Sequence, residues 1–356
     1  MSTNAEQPVE KLSFRRFKDG DYTWKDFRQK IFDADHSHKC PTYIQSTPPC
    51  QGSCPSGEDI RGYLNIVRGI EKPPAGMPWQ EYAWRRLTQA NPFPSVMGRV
   101  CPAPCESGCN RNALEDHVGI NSVEHFLGEY ANAKGLKFVK PEHSTGKKVA
   151  VIGAGPAGLG CADVLARNGV KPVVFDRYDE IGGLLTFGIP GFKLEKHVVQ
   201  RRRAIFEGMG IAFRLGVEVG RDVSFDSLLA DYDAVFLGMG TYKFVEGGFP
   251  GEHLPGVTPA LPYLVANARR QLGLLTDPAE YIDLAGKRVV VLGGGDTAMD
   301  CNRTAIRQGA AEVICAYRRD EHNMPGSRTE VGNAKDEGVQ FLWNRQPLEI
   351  VAGPDG

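Results

Sequence analysis

The chain has 356 residues, with 42 Lys and Arg against 43 Asp and Glu, a formal charge of −1, and 41% hydrophobic side chains. That is room for two or three domains, and its near-zero charge argues against a nucleic-acid or membrane-surface role, which calls for a basic face. No apolar run approaches the ~18 residues of a membrane span, and the opening MSTNAEQPVEKLSF lacks a signal-peptide core, so the expected location is cytoplasmic.

In chain order, residues 1–30 are polar and irregular and read as an N-terminal arm. Residues 31–140 form a block rich in Cys and Pro. Apolar spacing predicts helices over 60–70, 79–90 and 121–133, the last with Val123, Phe126, Leu127 and Tyr130 on one face. No strand pattern stands out here. Residues 136–147, with Pro and Gly among polar residues, suit a linker.

Six of the nine cysteines fall in this block: Cys40, Cys50, Cys54, Cys101, Cys105 and Cys109. Such clustering in a cytosolic chain points to metal or redox chemistry rather than to structural disulfides. Cys50-Gln-Gly-Ser-Cys54-Pro55 and Cys101-Pro-Ala-Pro-Cys105-Glu-Ser-Gly-Cys109 are tight loops that deliver several soft thiolates at once, as an iron–sulfur cluster requires. Zinc and disulfides stand as alternatives, although the C-x2-C knuckles of structural zinc are absent. Cys161, Cys301 and Cys315 read as core residues.

At residue 148 the pattern changes to α/β. Residues 148–152 form an apolar strand, 153–158 a glycine turn, 156–168 a helix stopped by Gly169, and 173–176 a second strand. The turn is GxGxxG: Gly153 for the tight bend, Gly155 for backbone approach to a pyrophosphate, Gly158 for helix–strand packing. Asp176 ends the next strand, where an acid accepts from ribose hydroxyls. The competing reading, a glycine-rich packing turn, leaves that acid unexplained. Gly182, Gly183 and Leu184 follow in a segment suited to lie against a flat ring system, and Gly240 closes a strand over 234–238. FAD is the favoured ligand.

The order recurs over 288–317, with GxGxxA from Gly293 through Gly295 to Ala298, and with Asp296 and Thr297 opening the helix. Arg318 and Arg319 stand where the first unit has Asp176. Arginine there suits a 2′-phosphate and favours NADPH over NADH, although Asp320 and Glu321 offer ribose acceptors and the arginines also read as surface charge. Between the two units lie predicted helices over 196–208 and 261–275 and a strand over 211–215. Two dinucleotide sites on one chain imply hydride transfer governed by alignment of cofactors, with no catalytic triad or acid–base pair.

Four segments together resemble the small-subunit family of glutamate synthase: Val100-Cys-Pro-Ala-Pro-Cys-Glu-Ser-Gly-Cys109, Ile181-Gly-Gly-Leu-Leu-Thr-Phe-Gly-Ile-Pro190, Gly293-Gly-Gly-Asp-Thr-Ala-Met-Asp300 and Tyr317-Arg-Arg-Asp-Glu-His-Asn-Met-Pro-Gly-Ser327. The resemblance implies a helical iron–sulfur domain (31–140), an FAD domain (148–285) and an NAD(P)H domain (286–356) that looks incomplete. It implies electrons passing from NADPH to FAD and through one or two [4Fe-4S] clusters to a larger catalytic subunit.

By position, Cys54, Cys101, Cys105 and Glu124 would hold one cluster, with an exposed helix glutamate as the plainer reading of Glu124. Cys50 and Cys109, with Cys40, would serve the other. The family's C-x2-C-x4-C-x3-C-P pattern is broken, because Thr42 and Gln45 stand at two cysteine positions. His36 or His38 are the substitutes at hand. That variant is similar to the subgroup working with dissimilatory sulfite reductase, which would also allow NADH. A dithiol flavoprotein reductase lacks its CxxC or CxxxxC after residue 109. A non-catalytic cluster-bearing docking module is the other alternative.

Overall fold

The computed structural model describes residues 47–114, 118–138 and 141–354; Cys40, His36, His38 and the N-terminal arm lie outside them. The fold is α/β, a helical region followed by two parallel sheets. The helical region is built from Ile60–Val67, Trp79–Leu87, Pro94–Val100 and Ile120–Lys134, with short helical turns at Pro49–Ser53 and Pro104–Ser107. Asp59 caps the first of these helices by accepting from the Gly62 N–H at 3.0 Å. Ile60, Tyr63, Ile66, Trp84, Leu87 and Leu127 fill its core.

The buried face of Ile120–Lys134 differs from the expected one: it runs through Ile120, Glu124, Leu127, Gly128 and Ala131. Phe126 is instead half exposed and stacks on Trp79 at 6.1 Å. The apolar count alone could not show that a glutamate takes the inward position.

The first sheet has the order β3-β2-β1-β4, from β1 (Lys148–Ile152), β2 (Lys171–Asp176), β3 (Ala212–Leu215) and β4 (Ala234–Leu237). All pairings are parallel, so the carboxyl ends of the strands gather at one edge, where such sheets bind ligands. The second sheet, β5 (Arg288–Leu292), β6 (Glu312–Tyr317) and β7 (Gln340–Trp343), is also parallel, in that order. The helices Pro156–Arg167 and Asp296–Arg307 follow the two glycine turns.

The expected linker over 136–147 is in part core. Phe138 is buried, stacked on Trp84 at 5.3 Å, with the Arg167 guanidinium 4.1 Å from its ring centre. Phe93 meets Phe206 edge to face at 5.7 Å, and Arg99 bridges Glu129 and Glu195. One hydrophobic core therefore runs from the cysteine-bearing helices into the first sheet. The two sheet units are clasped by Lys193, which pairs with Asp300 at 2.8 Å, and by Arg307 stacked over Phe192 at 3.9 Å.

Candidate cofactor sites

At the carboxyl ends of β1, β2 and β4 lies a cavity of about 430 Å³ lined by Gly153, Gly155, Asp176, Gly183, Leu184 and Gly240. Three glycine segments mesh to make it. A side-chain carbon on Gly153 would fall 2.3 Å from the Gly238 carbonyl, and one on Gly183 would fall 2.8 Å from the Gly155 Cα. Gly158 takes no part in the lining. A carbon there would overlap the Gly153 carbonyl at 1.8 Å, so this glycine brings helix and strand together. Gly182 likewise stands behind the wall, against Thr186 and Val199.

Gly155 is the open position, with nothing nearer than the Gly183 Cα at 3.9 Å. Backbone without a side chain faces the start of the Pro156–Arg167 helix, where first-turn N–H groups and the helix dipole favour an anion. Asp176 is held rigidly: it accepts from the Ala154 N–H at 2.6 Å and the Tyr178 N–H at 2.9 Å. The cradle fits a dinucleotide.

The lining residues that escaped the sequence reading include Arg177, Tyr178 and Tyr242. Arg177 lies over the Tyr242 ring at 4.4 Å, and Tyr178 stacks on Phe187 at 4.4 Å. The available signal was the Asp176-Arg177-Tyr178 run directly after the acid.

In the second unit a cavity of about 530 Å³ is lined by Leu292, Gly293, Ala316, Tyr317 and Arg318, together with Arg345 and the Gly247–Pro250 loop. Gly295, Asp296, Thr297, Ala298 and Arg319 do not line it. Asp296 ties down a neighbouring loop by accepting from the Ser327 N–H at 2.8 Å. Ala298 is buried at the helix–strand contact, where the first unit needs Gly158. Asp320 is occupied elsewhere, accepting from the N–H of Asn323 at 2.9 Å, and Glu321 pairs with Lys335 at 2.7 Å.

The cysteines fall into two groups. Cys101 feels the charges of Cys54 and Glu124, and Cys105 those of Cys101 and Cys54, so these residues form one electrostatically coupled set. Burial, then repulsion from the Cys101 thiolate and other acids, pushes the Cys105 thiol up to about 12. Burial also raises Cys101, aided by Glu124 and Cys54. Cys50 is raised by burial and by Cys109, its neighbour in the second group. The loop between Cys101 and Cys105 turns at Ala103, in the left-handed region at φ 49°, and the Ala103 N–H points to the Cys101 sulfur at 3.4 Å. Thiols crowded under cover, with Cys50, Cys101 and Cys105 made harder to ionise by burial and then by neighbouring charge, suit a soft metal group that would neutralise them together.

Glu124 is not the exposed helix residue of the plainer reading. It is 5% exposed, and its carboxylate accepts from Asn91 and from Asn121 at 3.3 Å. Burial, then the charge of Glu58, raises it to about 8; burial raises Glu58 to about 7. Glu58 is a site neighbour that sequence alone did not flag. Cys301 and Cys315 are buried and Cys161 half-buried, as expected of packing residues.

The raised carboxyls predict a pH dependence. In metal-free chain Glu58 and Glu124 hold their protons when folded but ionise from 4.5 upward when unfolded. Their contribution is full below pH 4.5 and is lost as pH rises through about 7 and 8. The loss is on the order of 1 kcal/mol per pH unit for each carboxyl. Urea midpoints should fall between pH 5.5 and 8.5, and less steeply in Glu58→Gln. A midpoint that rises over this range contradicts the burial argument.

Residues 147–355 match the family described as pyridine nucleotide-disulphide oxidoreductase, and residues 22–136 the family described as dihydropyrimidine dehydrogenase domain II, 4Fe-4S cluster. The first brings FAD and NAD(P)H, the second a [4Fe-4S] cluster. The chain is 59% identical over 324 residues to the glutamate synthase [NADPH] small chain of Halomonas elongata, covering 89% of this chain and 66% of that one. It is 53% identical to the Escherichia coli small chain, covering 87% and 65%, and 36% identical to that of Bacillus subtilis, covering 98% and 68%. The chain belongs to the glutamate synthase small-chain family of pyridine nucleotide-disulphide oxidoreductases. It spans about two thirds of the length of these relatives. Among the described residues no helix is long and apolar enough to cross a membrane.

Proposed function

We propose that this chain is the electron-transfer part of an NADPH-dependent oxidoreductase, feeding a larger catalytic subunit. The reading rests on one observation above all: the glycine cradle beside Asp176 and the cysteine loops share a single hydrophobic core. When bound, FAD would take two electrons from the nicotinamide and pass them singly to iron–sulfur centres.

The chain's own residues do the positioning. Gly155 and Gly183 leave room for a pyrophosphate, and Asp176, lining the same cavity, would accept from a ribose hydroxyl. Cys54, Cys101, Cys105 and Glu124 hold one cluster, while Cys50 and Cys109 contribute to a second together with residues outside the described ones. The Lys193–Asp300 clasp holds the second nucleotide unit against the first. The boundaries that follow are a cluster region over 31–140, a flavin unit over 148–285 and a nicotinamide unit over 286–356.

The small-chain relatives support a glutamate-synthase-like large subunit as the partner, and a sulfite-reductase-like partner is the finer reading left by the Thr42 and Gln45 variant. Affinity capture from the native host under anaerobic conditions, with mass spectrometry, distinguishes them. A large amidotransferase-type subunit is the expected catch. A sulfite reductase would redirect the assignment, and recovery of the chain alone would contradict a partnered role.

A further inference from the structure

The second nucleotide cavity has a cation that the dinucleotide fingerprint does not include. After β7 the chain turns at Asn344, in the left-handed region at φ 56°. It then folds back onto the end of β6: the Asn344 N–H donates to the Arg319 carbonyl at 3.1 Å, and the Arg345 N–H to the Tyr317 carbonyl at 3.0 Å. Arg345 thereby comes to line the same cavity as Arg318. The segment is pinned further along, where the Ile350 N–H donates to the Pro250 carbonyl at 2.9 Å.

No Asp or Glu lines this cavity. Among the described residues neither Arg318 nor Arg345 has a carboxylate partner, and the Arg345 guanidinium donates only to the Asn344 carbonyl, at 3.2 Å. The nearest acids in sequence, Asp320 and Glu321, are engaged with Asn323 and Lys335. Two arginines without counter-charge, at the rim of a cavity that ends on a glycine turn, suit a dianion. Guanidinium forks bind phosphate in a paired, directional way.

We infer that Arg345 and Arg318 together recognise the 2′-phosphate of NADPH, so that Arg345, far from the glycine fingerprint, is a specificity-determining residue of this site. The inference rests on the reading of the second unit as a nicotinamide-nucleotide site. It places the selection of NADPH over NADH on two strands rather than on the Arg318-Arg319 pair alone.

The test is calorimetric titration of the full chain, and of its Arg345→Gln and Arg318→Gln variants, with adenosine 2′,5′-bisphosphate and with 5′-AMP. Circular dichroism confirms that each variant is folded. The parent should prefer the bisphosphate, and each variant should lose about tenfold of that affinity while 5′-AMP binding is unchanged. If Arg345→Gln binds the bisphosphate like the parent while Arg318→Gln is weakened, Arg345 is surface charge and the inference fails with the site intact. If the parent binds neither ligand, the site reading and the inference fall together. If a variant weakens both ligands equally, the residue shapes the cavity and does not read the phosphate, which also overturns the inference.

Discussion

Chain carrying Cys105→Ser, purified without oxygen, should lose about one four-iron cluster of its iron per chain relative to the parent. Cys105 is 8% exposed and sits in the turn Pro104–Ser107, where burial, then the charges of Cys101 and Cys54, make its thiol harder to ionise. A serine there offers a harder, less readily ionised oxygen in place of a soft thiolate, so the set of four falls to three. Cys109→Ser is a sharp companion. It belongs to the group with Cys50, so the cluster at Cys105 should survive it. Cys161→Ser, on the Pro156–Arg167 helix, should leave iron content unchanged. Iron analysis with absorption spectroscopy separates the three variants. Equal iron in Cys105→Ser and parent would rule out the assigned ligand set.

The second large effect is expected of Gly155→Val. Nothing comes nearer than 3.9 Å to a carbon at this position, so the fold has room for it, but the branched methyls would project into the cradle where a pyrophosphate must approach backbone. Flavin content should fall at least about tenfold, the equivalent of losing ~1.4 kcal/mol of binding, while circular dichroism stays that of the parent. Gly158→Ala makes the contrast. Its added carbon overlaps the Gly153 carbonyl at 1.8 Å, so helix or strand must shift, and the cost should be about 1–3 kcal/mol of stability. Full flavin occupancy in Gly155→Val would show that the dinucleotide lies elsewhere.

Much of this was legible because backbone chemistry leaves marks in sequence. Strand, glycine turn and helix announce themselves by apolar runs, by Gly153-x-Gly155 and by Gly169, whose φ of 76° ends the helix as expected. The expected strand over 288–292 and helix over 196–208 are found as β5 and Lys196–Gly208. The helices Phe225–Asp231 and Arg328–Asp336 and the strand β7 were not foreseen, being short and weakly patterned. The Ser224 cap, accepting from the Ser227 N–H at 3.1 Å, was the available signal for the first of these.

Tertiary contacts left weaker marks. Whether Glu124 faces water or the core depends on the Pro94–Val100 helix crossing it, and helical spacing carries no such information. Arg345 reaches its cavity only through a turn after a strand that was itself missed. Phe138 read as linker because two neighbouring positions in a polar stretch say nothing of Trp84 waiting beneath it.

The most direct measurement is an anaerobic titration of the purified chain with NADPH, followed by absorption and electron paramagnetic resonance together. Flavin absorption at about 450 nm should bleach, and a paramagnetic reduced-cluster signal should grow as it does so. Protein that binds both cofactors but develops no cluster signal on reduction would contradict the proposed path from nicotinamide to iron, and protein that emerges colourless and free of iron would contradict it entirely.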